Sequence, residues 1–178
     1  MNITSVAIFC GSKLGNNVVY QQHAEVLGKI LAQKNITLIY GGGKNGLMGV
    51  AADSVMKYDG TVKGVIPKVL TEWEHQHLSI SELTVVDDMH ERKRMMYELC
   101  DAAIILPGGF GTLDELFEML TWNQLAIHDK KIFIMNSGNF YKNLLLHLHF
   151  LTGEGFLYGE LEDKFTILDE PEEILDHL

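Results

Sequence analysis

Ala102-Ala103-Ile104-Ile105-Leu106 runs directly into Pro107-Gly108-Gly109-Phe110-Gly111-Thr112-Leu113-Asp114-Glu115. The first five residues are apolar throughout, as suits a strand covered on both faces, and residues 113–126 then carry apolar side chains at helical spacing. The glycines therefore sit at the carboxyl end of a strand, just before a helix. Backbone N–H groups at such a helix start, with no Cβ at Gly108, Gly109 and Gly111, can approach phosphate oxygens closely. The Thr112 hydroxyl adds a donor, and Glu115 places a carboxylate beside the cradle. The same residues also fit an ordinary strand-to-helix turn, capped by Thr112 with Glu115 closing a capping box.

Outward from this unit, strand-like runs fall at residues 5–9, 37–40, 62–66, 83–86, 102–106, 131–135 and 165–168. Helical patterns fall at 18–33, 46–58, 90–100, 113–126, 141–151 and 171–178. Strands separated by helices imply an α/β fold, a mostly parallel sheet of about seven strands joined by crossover helices that flank it. Pro171, followed by Glu172 and Glu173, is favourable helix-entry chemistry. No linker, internal repeat or low-complexity tract divides residues 1–178, so a single domain is expected. The longest irregular piece, residues 67–81, contains Glu72, Trp73, Glu74, His75 and His77. It follows a strand's carboxyl end, where open α/β sheets bind ligands.

Two more glycine turns lie on that edge. Gly41-Gly42-Gly43-Lys44-Asn45-Gly46 satisfies G-x-G-x-x-G, but it follows the second strand. The third strand ends in Val65-Ile66-Pro67, without the acidic residue that would hold an adenosine ribose. A second wall of a nucleotide-sized pocket suits it better than a dinucleotide site, and a plain turn with close helix packing also fits. Cys10-Gly11-Ser12 ends the first strand in the third such turn. No G-x-x-x-x-G-K-[ST] phosphate loop occurs, which disfavours nucleoside triphosphate hydrolysis by that route.

Asp87-Asp88-Met89-His90-Glu91-Arg92-Lys93-Arg94 opens a helix straight after a strand, with Asp87 or Asp88 as cap. Arg92 and Lys93 run against the helix dipole there, which points to a site for at least one of them; a solvated charged face is the plainer alternative. The eight histidines include His75-Gln76-His77 and His147-Leu148-His149. An i,i+2 pair on a helix diverges and no cysteine set accompanies it, so no metal site is expected. Tyr141, Leu144, Leu145, Leu148 and Leu151 read as one core-facing helix stripe. Ser12 and Ser137 lack the G-x-S-x-G setting of a hydrolase nucleophile.

The whole chain of 178 residues is 47% hydrophobic and 21% charged, with a formal net charge of −10. Disorder is disfavoured, and so is a nucleic-acid backbone as partner, because no net basic field exists to release counterions. Cys10 and Cys100 lie in or beside apolar segments, which suits buried thiols in a reducing cytoplasm. No apolar run reaches membrane-spanning length and the first residues lack a signal peptide's basic region, so a soluble, unprocessed protein is expected, with no membrane partner.

Pro107-Gly108-Gly109-Phe110-Gly111-Thr112-Leu113-Asp114-Glu115 and Met89-His90-Glu91-Arg92-Lys93, in this order and spacing, resemble the LOG (Lonely Guy) family of cytokinin-activating phosphoribohydrolases. The resemblance extends to Phe9-Cys10-Gly11-Ser12, Tyr40-Gly41-Gly42-Gly43, Gly46-Leu47-Met48-Gly49, Gly64-Val65-Ile66-Pro67 and Thr121-Trp122-Asn123-Gln124-Leu125. Asp114 departs mildly from the usual acidic residue there and leaves Glu115 in register. The resemblance implies a Rossmann-like fold and a homodimer or larger assembly; no cofactor is expected, because glycosidic hydrolysis needs only water, a carboxylate and oriented donors. It also implies hydrolysis of the N-glycosidic bond of an N6-substituted adenosine 5′-monophosphate, or of AMP, to free base and ribose 5-phosphate. Arg92 and Glu115 would form the catalytic pair, with Glu74, Lys93, Gly109, Gly111, Thr112 and Thr121 lining the substrate site. Ser12, Gly42, Gly43 and Gly108 join them on the glycine-turn reading.

Cleaving that bond builds positive charge on the sugar, which a fixed carboxylate such as Glu115 stabilises. Arg92 cannot act as a base and instead suits gripping phosphate or ribose oxygens. A broader nucleotide 5′-monophosphate nucleosidase and a non-catalytic nucleotide-binding module are the competing readings. Many relatives carry the label "possible lysine decarboxylase", which this chemistry does not favour.

Overall fold

The computed structural model describes residues 3–71 and 75–178. Along the chain come β1 (Ser5–Phe9), α1 (Val18–Gln33), β2 (Thr37–Tyr40), α2 (Gly46–Lys57), β3 (Val62–Pro67) and β4 (Glu82–Val86). Then follow α3 (Met89–Leu99), β5 (Ala102–Ile105), α4 (Phe110–Gln124), β6 (Lys131–Met135), α5 (Lys142–Gly153) and β7 (Thr166–Leu168). The strands form one sheet in the order β4-β3-β2-β1-β5-β6-β7, and every neighbouring pair is parallel. This is a Rossmann-like α/β fold.

The side-chain alternation of β1 shows why the sheet is covered on both faces. Val6 and Ile8 pack with Leu27 and Leu31 of α1 and with Leu47, Ala51 and Val55 of α2. Ala7 and Phe9 point the other way, into Met96 and Tyr97 of α3 and Leu116 and Met119 of α4. A central strand with two apolar faces cannot be stable with either one in water, so each face carries a helical layer.

From β1 the chain winds outward through β2, β3 and β4, and α3 then brings it back to β5 on the other edge of β1. The winding direction therefore reverses between β1 and β5. Open α/β sheets bind ligands at such a reversal, in the crevice beyond the strand ends. The two ends are tied together: the Leu106 N–H donates to the Phe9 carbonyl and the Gly11 N–H to the Pro107 carbonyl, each at 3.0 Å.

Two sequence expectations need correction. Helix α4 begins at Phe110, not Leu113, and its cap is Gly109 in an extended conformation with no side-chain capping bond. Thr112 thus lies inside the first turn, and no capping box joins it to Glu115. The last segment is a short 3-10 helix, Pro171–Asp176, held by a capping box between Glu170 and Glu173. Met96 of α3 is fully buried, and the partly buried Trp122 ring of α4 meets Tyr97 edge-on at 4.8 Å.

Candidate active site

The turn after β5 is shaped by what its glycines omit. A Cβ on Gly108 would fall 2.1 Å from the Thr112 hydroxyl oxygen and 2.9 Å from the Gly11 nitrogen, so only glycine lets the two turns close on each other. At Gly109 and Gly111 a Cβ would meet nothing within 4 Å. These two therefore face open space, where a ligand can come close to the backbone. The first helical bond of α4 runs from the Leu113 N–H to the Gly109 carbonyl. The N–H groups of Phe110, Gly111 and Thr112 precede it at the positive end of the helix dipole, an arrangement suited to an anion.

One turn into α4, Thr112 (3% exposed) and Glu115 (7%) share the buried helix face. Opposite them stands Arg92, in the first turn of α3 and only 6% exposed. Asp88 caps that helix, its carboxylate accepting the Glu91 N–H at 2.8 Å, a bond that holds the Asp88 carboxyl below its ordinary pKa. The guanidinium Nη2 donates to the Gly41 carbonyl at 3.5 Å and Nη1 contacts the Met89 sulfur at 3.8 Å. Its Nε is buried with no hydrogen-bond partner among the described residues. Arg92, Thr112 and Glu115 border one cavity of about 220 Å³, whose remaining wall includes Cys10, Ser12, Met48 and Met89. A second, more apolar cavity of about 340 Å³ adjoins it across Gly11, Ser12 and Gly109, and is walled by Leu14, Tyr20, Leu47 and Phe140.

The other site residues read from the sequence fall in different places. Ser12 borders both cavities. Lys93 does not line this cavity; its Nζ binds the carboxylates of Glu118 at 2.7 Å and Asp114 at 3.1 Å, bracing α3 against α4. Burial alone would lower the Lys93 pKa, but those two carboxylates hold it above its ordinary value. Gly42, at φ +75°, packs against Ile66 and Leu83, and Gly43 bridges Gln76, so both face β3 and the following segment. Thr121 is exposed and donates to the Phe117 carbonyl at 2.7 Å. Glu74 lies outside the described residues. His147 and His149 are exposed on α5, and among the described residues no three His, Cys, Asp or Glu side chains converge as a metal cluster.

Met48 and Met89 are wall residues that the sequence did not mark as part of the site, and Gly41 lies behind the wall as the seat of Arg92. Gly41 had only its place in the glycine turn as a signal. Its real constraint is that a Cβ would fall 1.8 Å from Arg92 Nη2.

Fold and site together define a Rossmann-like α/β protein with an anion cradle, a buried arginine and a buried glutamate at the switch point of its sheet. The family model described as "Possible lysine decarboxylase" matches residues 48–178. The chain is 44% identical over 169 residues to the cytokinin riboside 5′-monophosphate phosphoribohydrolase of Rhodococcoides fascians, covering 94% of this chain and 85% of that protein. It is 45% identical over 152 residues to a cytokinin riboside 5′-monophosphate phosphoribohydrolase of Arabidopsis thaliana, covering 85% and 71%. The solved structure of the molybdenum cofactor binding protein from Rippkaea orientalis is similar at a TM-score of 0.73 and 20% identity, over 99% of this chain and 96% of that one, a likeness of fold alone. The chain belongs to the LOG family of cytokinin riboside 5′-monophosphate phosphoribohydrolases.

Proposed function

We propose that this protein hydrolyses the N-glycosidic bond of an N6-substituted adenosine 5′-monophosphate or of AMP. Water adds its oxygen to C1′, the bond from C1′ to the purine nitrogen breaks, and the base leaves with a proton as ribose 5-phosphate forms. The observation that carries this reading is the placement of Arg92 and Glu115, both buried, in one cavity beside the open backbone of Gly109 and Gly111.

In this reading the first amides of α4 and the Thr112 hydroxyl hold the phosphate. Glu115 stabilises the positive charge that develops on the sugar, and Arg92 grips phosphate or ribose oxygens to bring C1′ against it. Lys93 contributes by fastening α3 to α4, and Gly108 by letting the two turns close. The purified protein incubated with AMP and with N6-isopentenyl-AMP should release ribose 5-phosphate from at least one of them. Equal turnover of many purine and pyrimidine 5′-monophosphates would assign the broader nucleosidase reading instead.

Two further points belong to the same proposal. Among the described residues no helix is long and apolar enough to cross a membrane, and both cysteines are buried and outside any disulfide, which suits a cytoplasmic protein. Phe110 and Phe117 lie two turns apart on α4 and are exposed, as are Leu125 and Ile127 just past its end. Exposed apolar groups of this kind fit a homodimer contact. Light scattering should give a dimer mass at micromolar protein; a monomer mass would contradict it.

A further inference from the structure

The chain returns to the glycine turn after β2 once it has left β3. The Lys44 N–H donates to the His75 carbonyl at 2.9 Å, and the His77 N–H donates to the Gly42 carbonyl at 3.0 Å. Between these bonds Gly43 and Gln76 form an antiparallel bridge. Residues 75–77 thus lie as a short strap across the turn. His75 takes φ +48°, a left-handed conformation that costs a non-glycine residue energy and persists only where its surroundings hold it.

A side chain adds a further anchor to these backbone bonds. The His77 ring is buried at 1% exposure, and its Nε2 lies 3.0 Å from Asp53 Oδ1 on α2. Its Nδ1 is buried with no hydrogen-bond partner among the described residues. A buried, unpaired ring nitrogen is costly, and an apolar side chain of similar size would fill the space without that cost. Directionality distinguishes the histidine: one ring nitrogen on Asp53 fixes the strap to α2 at a defined position and angle.

The turn beneath the strap also receives the guanidinium of Arg92 from α3. The Gly41 carbonyl that receives the guanidinium immediately precedes Gly42, whose own carbonyl receives the His77 N–H. Any shift of the strap therefore passes through one residue of backbone to the seat of Arg92. A displacement of about 1 Å at a group that positions substrate can cost on the order of 10²-fold in rate.

We propose that His77, anchored by Asp53, is a positioning residue for Arg92. This rests on the reading of Arg92 as a group that grips the substrate. His77 touches no reacting atom; it sets where the Gly41 carbonyl lies and hence where the guanidinium points.

A double-mutant cycle on AMP cleavage tests this, with kcat and KM measured for wild type, His77→Ala, Arg92→Ala and the double variant. His77→Ala should lower kcat/KM about tenfold in the wild-type background, and by less than twofold once Arg92 is gone. Asp53→Ala changes only an exposed helix position and should reproduce the effect in direction with the fold intact, so a folding failure of His77→Ala does not decide the matter. If Arg92→Ala falls below detection, the same cycle is read from the AMP dissociation constant by calorimetry in a Glu115→Gln background. Equal losses in both backgrounds, or full activity in His77→Ala and Asp53→Ala, would overturn the proposal while leaving Arg92 in its role. Unchanged AMP cleavage in Arg92→Ala would overturn both.

Discussion

The guanidinium of Arg92 rests on the backbone of Gly41, with Nη2 donating to the Gly41 carbonyl at 3.5 Å and only 1.8 Å from where a Cβ would stand. Residue 41 is therefore part of the site although it offers no side chain. Gly41→Ala should leave the fold standing, because the atom it strikes is the far end of a flexible side chain and residue 41 has no positive φ. Arg92 must move instead, so kcat/KM for the nucleotide should fall about 10²-fold with little change in melting temperature. Wild-type kinetics in Gly41→Ala would show that the seat does not matter.

Stability at the opposite end of the sheet depends on Asp101. One of its oxygens, Oδ2, accepts the Thr4 N–H and hydroxyl, each at 2.8 Å, the Ser5 N–H at 3.0 Å and the Ser5 hydroxyl at 3.1 Å. Burial alone would raise its pKa, but these bonds hold the carboxyl below its ordinary value. A carboxyl depressed in the folded state stabilises it above the unfolded pKa, and that contribution is lost as pH falls through the folded value. Asp101→Ala should cost about 1–2 kcal/mol at neutral pH. Its deficit relative to wild type should shrink below the ordinary carboxylate range, as urea titrations at pH 7 and pH 3 would reveal. A deficit of equal size at both pH values would contradict the ionic origin.

Lysine decarboxylation should be absent. Pyridoxal chemistry needs a lysine amine free to form a Schiff base. Here Lys93 is held charged by Glu118 and Asp114, while Lys13 and Lys44 stand exposed on turns. Incubation with lysine and pyridoxal phosphate should release no carbon dioxide, and a chelator should leave AMP cleavage unchanged. Carbon dioxide release, or loss of cleavage with the chelator, would overturn this.

Sequence carried most of the fold because buried parallel strands are nearly continuous apolar runs, and β2 and β6 fall on the residues read from the pattern. The start of α4 escaped it for a local reason: the first turn holds exposed Phe110 and Gly111, so apolar periodicity begins only at Leu113. Arg92 announced itself by opposing its helix dipole. Its seat at Gly41 lies 51 residues away and the Asp53 partner of His77 lies 24 away, and neither contact leaves a trace in local pattern. Lys93 looked like a second site cation, yet its partners are on α4, a pairing that depends on how two helices cross.

The most direct test of the central claim compares N6-isopentenyl-AMP with the matching nucleoside, following free base and sugar product, in wild type and Glu115→Gln. Phosphate binding remote from the reacting carbon should make the nucleotide the better substrate by kcat/KM, and Glu115→Gln should cut its turnover by on the order of 10²-fold or more. Equal kcat/KM for nucleotide and nucleoside, or near-wild-type turnover in a folded Glu115→Gln, would contradict the account.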